Sequence, residues 1–213
     1  VEVNGVPARG KITAPPVPIY VASSSPLGLQ IAGELADGVI LNVGVIPELV
    51  QEAMRHVERG ARRAGRDPRG LDIAVFAGSS INADRSRAIE EARSWAATTA
   101  RRIAKWMVSG GDEVRGAGAA ILEQYNWADH IAIGAAHARP VSDAMARNLV
   151  LAGTTDDVAE MIRRLAECGV THVIPLPMGP NIKDTLQAFG REIIPAWRQP
   201  TPVSFFRPQA TIE

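Results

Sequence analysis

Four stretches of nearly uninterrupted apolar residues occur along the chain, and each has the length of a strand. Such runs are typical of a parallel sheet that is covered on both faces, because the alternation of polar and apolar residues is lost when neither face meets water. The pattern predicts strands at Val17–Ala22, Gly38–Val43, Leu71–Ile81 and Thr171–Met178.

Between these runs, apolar residues recur every three or four positions, the period of an amphipathic helix. Trp95 and Trp106 are eleven residues apart, about three helical turns, and are expected to share a helical face. Two glycine-punctuated segments after Met107 also have a helical pattern. The other predicted helices cover Pro26–Ala36, Pro47–Ala64, Ala83 to about Met107, the segment TTDDVAEMIRRLAEC and Ile182–Ile194.

Strands and helices alternate, which indicates an α/β fold with parallel strands, either doubly wound or part of a β/α barrel. Four strands are too few to close a barrel, which needs eight. We interpret residues 1–213 as a single domain with a helical insertion at about residues 83–152, between the last two predicted strands. The proline-rich tail, residues 198–213, is predicted to be extended.

Composition restricts the classes of function. The 23 basic and 23 acidic residues cancel, so no charge excess points to nucleic acid or to an anionic membrane surface. No apolar run reaches the length of a membrane span, and no signal peptide is recognisable. Cys168 is the only cysteine, which excludes an internal disulfide and fits a cytoplasmic protein. Because the chain starts at Val1, it is expected to be processed or incomplete.

Three consecutive serines, Ser23–Ser25, end the first predicted strand and open the first predicted helix. Ligands of parallel α/β proteins collect at the carboxyl ends of the strands. Backbone N–H groups and hydroxyls at a helix start can bind an oxyanion, and the small side chains let a phosphate approach. An ordinary serine N-cap explains the same residues, so the spacing alone leaves both readings open.

The rest of the sequence contains few motifs that indicate a ligand or a reaction. Asn42, Val43 and Gly44 end the second predicted strand, where Asn42 is suited either to a ligand or to loop backbone groups. The hydrolase motif GxSxG, the P-loop and GxGxxG are missing, as is the HExxH zinc motif, and no metal ligand is predicted.

Several segments in order resemble the luciferase-like monooxygenase superfamily, and more narrowly its branch that uses coenzyme F420 and includes the methylenetetrahydromethanopterin reductases. The segments are PIYVASSSPLGLQIAGELADGVILN, ARRAGRDPRGLDIAVF, LAGTTDDVAEMIRRLAECGVTHVIPLP and FGREIIPAW. The resemblance implies a (β/α)8 TIM barrel to which this chain contributes only the carboxyl-terminal half, strands five to eight.

The resemblance also implies an oxidoreductase that transfers hydride between reduced F420 and a small organic substrate; the alternative is an FMN-dependent monooxygenase. The turn after strand five of the family contacts the cofactor phosphate, which assigns cofactor binding to Val21, Ala22, Ser23, Ser24 and Ser25. The loop after strand six adds Asn42, Val43 and Gly44, near the cofactor tail or the substrate. Trp106 is expected near the pocket.

Catalytic residues are not assigned, because the family's first four strands, which surround the reactive ring, have no counterpart in this sequence. A second hypothesis from another class stays open: a half-barrel fragment without activity, or a protein that binds a phosphorylated ligand. In either case the open edges of the sheet favour a homo-oligomer, most simply a dimer.

Overall fold

The computed structural model describes residues 2–3, 6–7, 17–109 and 111–197, most of which belong to a parallel sheet and the helices between its strands. Near the amino terminus, β1 (Glu2–Val3) pairs antiparallel with β2 (Val6–Pro7), a small hairpin that the apolar pattern did not predict. The tail that the sequence predicts to be extended lies outside the described residues.

Five strands form the sheet, and every pairing between them is parallel. Four of them correspond to the four predicted apolar runs. The fifth, β6, was missed because its three residues follow a helix directly and are too few to form a run of their own. The strands are β3 (Tyr20–Ser23), β4 (Gly38–Leu41), β5 (Asp72–Ile81), β6 (Leu151–Gly153) and β7 (His172–Pro177).

The long strand β5 has neighbours on both edges. Ala74 pairs with β4 and with β7, and Ser79 pairs with β6 and with β7. A residue with two ladder partners has them on opposite edges, so β4 and β6 share one edge of β5, one beyond the other. The sheet is therefore four strands wide, in the order β3, β4 together with β6, β5 and β7.

The helices begin where the sequence provides a cap or a proline. Ser25, Ser142 and Thr154 accept hydrogen bonds from first-turn N–H groups of their helices, and Asp84 does the same with its carboxylate. No helix in the described ranges is both long and apolar enough to cross a membrane. The helices are α1 (Pro26–Leu35), α2 (Pro47–Arg63), α3 (Arg85–Ile103), α4 (Gly111–Glu123), α5 (Asp143–Leu149), α6 (Thr155–Glu167), α7 (Ile182–Ala188) and α8 (Ile194–Trp197), with a π-helical turn at Phe189–Ile193.

The helices α3, α4 and α5 all lie between β5 and β6 in the chain. α3 ends at Ile103, about one turn before the predicted end at Met107. Trp106 therefore lies in the turn that follows, and the prediction that it shares a helical face with Trp95 is wrong.

One face of the sheet is fully buried along its central strands β4 and β5. Val39, Leu41, Ile73 and Val75 point to this face and are at most 5% exposed. They belong to the same apolar core as Leu29 of α1 and the inward residues of α2 and α6. This face accounts for most of the buried apolar area and so for most of the hydrophobic stabilisation of the fold.

The opposite face is covered only in part, which corrects the expectation that both faces are buried. Ala22, Ile40, Phe76 and Ile174 point to this face by register and alternation. Ala22 is exposed, Ile174 is 37% exposed, and the other two are half-buried. Among the described elements, α3 packs against this face, with Trp95 edge-on against Phe76 at 5.4 Å between ring centroids.

The edge strands β3 and β7 leave backbone groups unpaired. The N–H of Met178 donates to the carbonyl of Ser79, so every second residue of β7 faces β5. The backbone of the alternate residues, which include Pro175 and Pro177, faces the free edge of the sheet. Proline has no N–H, so these two positions offer no donor there. The free edge of β7 thus offers carbonyl acceptors but few donors, which limits unspecific strand pairing.

Candidate functional site at the carboxyl ends of the strands

The serine turn joins β3 to α1 at the carboxyl edge of the sheet. The hydroxyl of Ser25 accepts a hydrogen bond from the N–H of Gly28 (3.3 Å), and the hydroxyl of Ser23 accepts one from the N–H of Ser25 (3.2 Å). Both hydroxyls therefore already stabilise the turn, as the capping interpretation expects. Any contact with an anion would rely mainly on backbone N–H groups.

The turn still has the shape and polarity of an anion site. A Cβ atom at Gly28 would lie 2.3 Å from the Oγ of Ser23, so a larger residue there would force Ser23 to move. Among the described residues, the N–H of Leu27 has no hydrogen-bond acceptor, and the first turn of α1 contains no acidic residue. Ala22 and Ser25 are exposed, which leaves the turn open to a ligand.

The side chain of Trp106 contacts the serine turn, Ser23–Ser25. Its Nε1 donates a hydrogen bond to the carbonyl of Ser24 (2.8 Å), and its ring packs edge-on against His56 at 5.4 Å. The resemblance placed Trp106 near the pocket, and the structure places it directly on the turn.

The segment after Trp106 is anchored by a buried carboxylate. Glu52 of α2 accepts hydrogen bonds from the N–H groups of Val108 (2.8 Å) and Ser109 (2.7 Å). Burial acts against ionisation of Glu52, but the hydrogen bonds from Ser109 and Val108 outweigh it and lower its pKa. Glu52 therefore fixes the chain directly after Trp106, next to its contact with the serine turn.

The second predicted group of site residues follows β4. Because Ser23 pairs with Leu41, the next residues Ser24 and Asn42 are neighbours at the carboxyl edge. The Oδ1 of Asn42 accepts a hydrogen bond from the hydroxyl of Thr99 (3.3 Å), and Asn42 is half-buried. The structure thus brings the end of β4 beside the serine turn.

The two residues after Asn42 serve the fold. Val43 is completely buried, so its side chain is unavailable to a ligand. Gly44 has a φ of +117°, and a Cβ there would lie 2.8 Å from the carbonyl oxygen of Asn148. A contact with a ligand at these two positions would have to use the backbone.

Helix α3 lies across the carboxyl ends of β4 and β5 through residues spaced four apart. Glu91 accepts a hydrogen bond from Ser80 (2.6 Å), Trp95 contacts Gly78, and Thr99 donates to Asn42. These residues form one stripe of the helix. The sequence analysis named Trp95 but not Glu91 or Thr99. Their spacing of four residues on either side of Trp95 could have predicted that they share its helical face.

The opposite, amino-terminal edge of the sheet holds another polar cluster. The hydroxyl of Tyr20 donates to Asp72 (2.5 Å), and its ring is edge-on to His172 at 6.4 Å. The hydrogen bond to Asp72, with burial and the charges of Asp72 and Asp37, raises the pKa of Tyr20 to about 12. Clusters at this edge of a parallel sheet serve stability, whereas ligands bind at the other edge.

Known proteins resemble this chain over the whole sheet. It is 31% identical over 199 residues to the 5,10-methylenetetrahydromethanopterin reductase of Methanolobus tindarius, covering 88% of this chain and 56% of that protein. It is 30% identical over 186 residues to the F420-dependent glucose-6-phosphate dehydrogenase of Nakamurella multipartita, covering 87% of this chain and 49% of that protein.

A solved structure agrees with these relatives. The coenzyme F420-dependent tetrahydromethanopterin reductase of Methanopyrus kandleri superimposes with a TM-score of 0.69 at 29% identity, over 85% of this chain and 51% of that one. The chain therefore spans about half the length of the relatives it matches, and the parallel sheet with its helices is the corresponding part of a TIM barrel. The profile of the luciferase-like monooxygenase family matches residues 2–172, and the chain belongs to that family.

Proposed function

We propose that this chain is the carboxyl-terminal half of a coenzyme F420-dependent oxidoreductase that exchanges hydride with a small organic substrate. The observation that carries the proposal is its similarity to two kinds of enzyme, a reductase and a dehydrogenase, whose names or solved structures specify F420. In both comparisons the match extends over 85% or more of this chain.

The serine turn is suited to the phosphate of the cofactor. Three features favour an anion: the N–H of Leu27 without an acceptor among the described residues, the open surface at Ala22 and the lack of acidic residues in the first turn of α1. When bound, the deazaflavin supplies the hydride chemistry, and the protein supplies position and shielding from water. In this proposal Val21 to Ser25 hold the phosphate through their backbone, with Asn42 beside them.

The half-covered face of the sheet is suited to a flat ring system. Ile40, Phe76, Ile174 and Leu176 form an apolar wall on this face, and α3 covers the wall in part. Apolar surface of this kind excludes water from a redox site. In the complete protein, further strands would pair with the free edges of β3 and β7 and close the barrel over this wall.

The function as a whole depends on groups outside this half, so the test uses two proteins. The 213-residue chain and the full product of its gene are titrated with F420 and with FMN, and the change in cofactor fluorescence is followed. Preferential binding of F420 by the full product supports the proposal. Preferential binding of FMN would replace it by the alternative, a flavin-dependent monooxygenase.

The non-enzymatic alternative has its own outcome in this experiment. If neither protein binds either cofactor, the serine turn is only a helix cap and the oxidoreductase hypothesis fails. Binding by the chain alone would place most of the cofactor affinity on the serine turn, and the substitution Gly28→Ala would then remove it.

Association with a second copy is part of the same proposal. Val17 and Ile19, next to the edge strand β3, are strongly exposed apolar side chains. Such surface favours a partner. We expect a homodimer in the cytoplasm; light scattering after gel filtration measures the mass in solution, and a monomer at micromolar concentration would contradict the dimer.

A further inference from the structure

A cavity lies between the end of α3 and α4. Its volume is about 330 Å³, and three of its lining residues are cationic: Arg101, Lys105 and Arg115. The rest of the lining is small or apolar, and none of it is acidic. A concave site with this charge is unusual in a chain whose basic and acidic residues balance.

Arg101 is the central group of this cavity. Its guanidinium stacks on the ring of Tyr125 at 4.2 Å and lies 5.8 Å from the ring of Trp127. Stacking occupies the faces of a guanidinium and leaves its in-plane N–H donors directed outward. The Nε of Arg101 is buried and has no acceptor in the part of the chain that the structure describes.

Lys105 and Arg115 are the other two cationic residues that line the cavity. Lys105 is exposed and lines the same cavity as Arg101. Arg115 pairs with Asp112, one turn earlier on α4, and also donates to the carbonyl of Val108. The side chain of Asp112 is 97% exposed, so this pairing neutralises little of the charge at the cavity.

A neighbouring arginine adds positive potential. Arg102 lies 5.5 Å above the ring of Trp95, and within the described ranges neither it nor Arg101 has an acidic partner. Burial lowers the pKa of both His130 and His137, which keeps these two nearby imidazoles neutral at physiological pH. The positive charge around the cavity therefore comes from the arginines and the lysine.

We infer that this cavity binds a small organic anion through a phosphate or carboxylate group. Arginine and lysine side chains bind phosphate and carboxylate groups through charge-assisted hydrogen bonds, and Arg101, Lys105 and Arg115 all line this cavity. The small and apolar residues Ala104, Gly118, Ala119 and Leu122 leave room for the carbon part of the ligand. The cavity shares no lining residue with the serine turn.

Two sources of the anionic group are compatible with this chemistry. Lys105 directly precedes Trp106, which contacts the serine turn, so the cavity lies at the same end of the molecule as the candidate cofactor site. The group is then either an anionic extension of the cofactor or a separate phosphorylated or carboxylated metabolite.

Titration of the 213-residue chain with inorganic phosphate, and separately with succinate, tests the inference by calorimetry in a buffer without competing multivalent anions. We expect saturable binding of at least one probe, weakened about tenfold or more by Arg101→Gln and by Lys105→Gln. Arg164→Gln, an exposed arginine of α6, is the matched control and should change the affinity less than twofold. Circular dichroism verifies that each variant is folded. If Arg101→Gln does not fold, the inference is tested with Lys105→Gln alone.

The absence of saturable binding at tens of millimolar of both probes overturns the inference, as does equal binding by the wild type and Lys105→Gln. Repeating the titration on the full gene product with F420 present identifies the source. Competition by F420 assigns the site to the cofactor, and unchanged probe affinity assigns it to a separate ligand. Failure of F420 to bind while the probe still binds would remove the proposed function alone.

Discussion

The indole of Trp106 donates a 2.8 Å hydrogen bond to the carbonyl of Ser24, joining residues that are 82 positions apart in the chain. The donor lies in the turn after α3, and the acceptor lies in the turn between β3 and α1. This bond orients the peptide after Ser24, whose neighbours carry the backbone N–H groups proposed to hold the phosphate. Two predictions concern this turn, and two concern interactions that stabilise the fold elsewhere.

Replacement of Trp106 by Phe removes the donor and keeps an aromatic ring against His56. The free energy of unfolding should fall by about 1 kcal/mol, the usual contribution of one hydrogen bond. The affinity of the full gene product for F420 should fall severalfold because the turn is less well oriented. Urea unfolding and cofactor fluorescence measure the two effects. Trp197→Phe, in the partly exposed α8, is the control; an equal loss of affinity there would show that the bond to Ser24 is irrelevant.

The substitution Gly28→Ala tests the shape of the serine turn. The added Cβ would lie 2.3 Å from the Oγ of Ser23, so Ser23 must move and the turn must open. We expect a loss of cofactor affinity of tenfold or more together with lower stability. Gly116→Ala in α4 is a matched control, because a Cβ meets nothing within 4 Å there. The control should raise the free energy of unfolding by about 0.5–1 kcal/mol; unchanged affinity in Gly28→Ala would exclude the turn from the cofactor site.

The substitution Tyr20→Phe separates stability from binding. It removes the hydrogen bond to Asp72 at the amino-terminal edge, and stability at pH 8 should fall by about 1–2 kcal/mol. The pKa of Tyr20 is raised to about 12 from an ordinary 10.0, so its contribution is complete below pH 10 and is lost as the pH rises toward 12.

Chemical denaturation across this range measures the difference between wild type and Tyr20→Phe, which should shrink above pH 10. Cofactor affinity at pH 7 should be unchanged, since the turn lies at the other edge of the sheet. A variant that binds F420 much more weakly would contradict the assignment of this edge to stability.

Asp157 stabilises the start of α6 in a capping box with Thr154 and pairs with Arg85 of α3. The hydrogen bonds from Arg85 lower the pKa of Asp157 to about 2, in spite of partial burial and with further help from Thr154. Its contribution to stability is therefore complete above about pH 4, the ordinary pKa of aspartate, and is lost as the pH falls through about 2.

The substitution Asp157→Asn should lower the free energy of unfolding at pH 7 by about 1 kcal/mol, as other cap substitutions do. Thermal melts between pH 7 and pH 2 should show the difference from wild type disappearing in acid. The exposed Asp156→Asn is the control. A difference that is constant over the whole pH range would show that the charge of Asp157 does not matter.

Much of the candidate site could be located from local sequence. Ser25 caps α1, as the capping interpretation of the serine turn predicted, because a cap depends only on residues within one turn. The prediction of Trp106 near the pocket came from the family resemblance and not from the helical period, which placed the indole on a helix that ends before it. Arg101 was not singled out, because an unpaired arginine is recognised only when its surroundings are known.

The sequence by itself determined that the chain forms a parallel α/β sheet and that the serine turn opens a helix at its carboxyl edge. Those properties follow from apolar runs, helical periods and caps, which act over a few residues. The tertiary structure alone decided that β6 extends the edge of β4, that α3 lies across the strand ends, and that Trp106 reaches Ser24. These contacts join residues far apart in the chain, so they depend on how the layers pack and leave no local pattern.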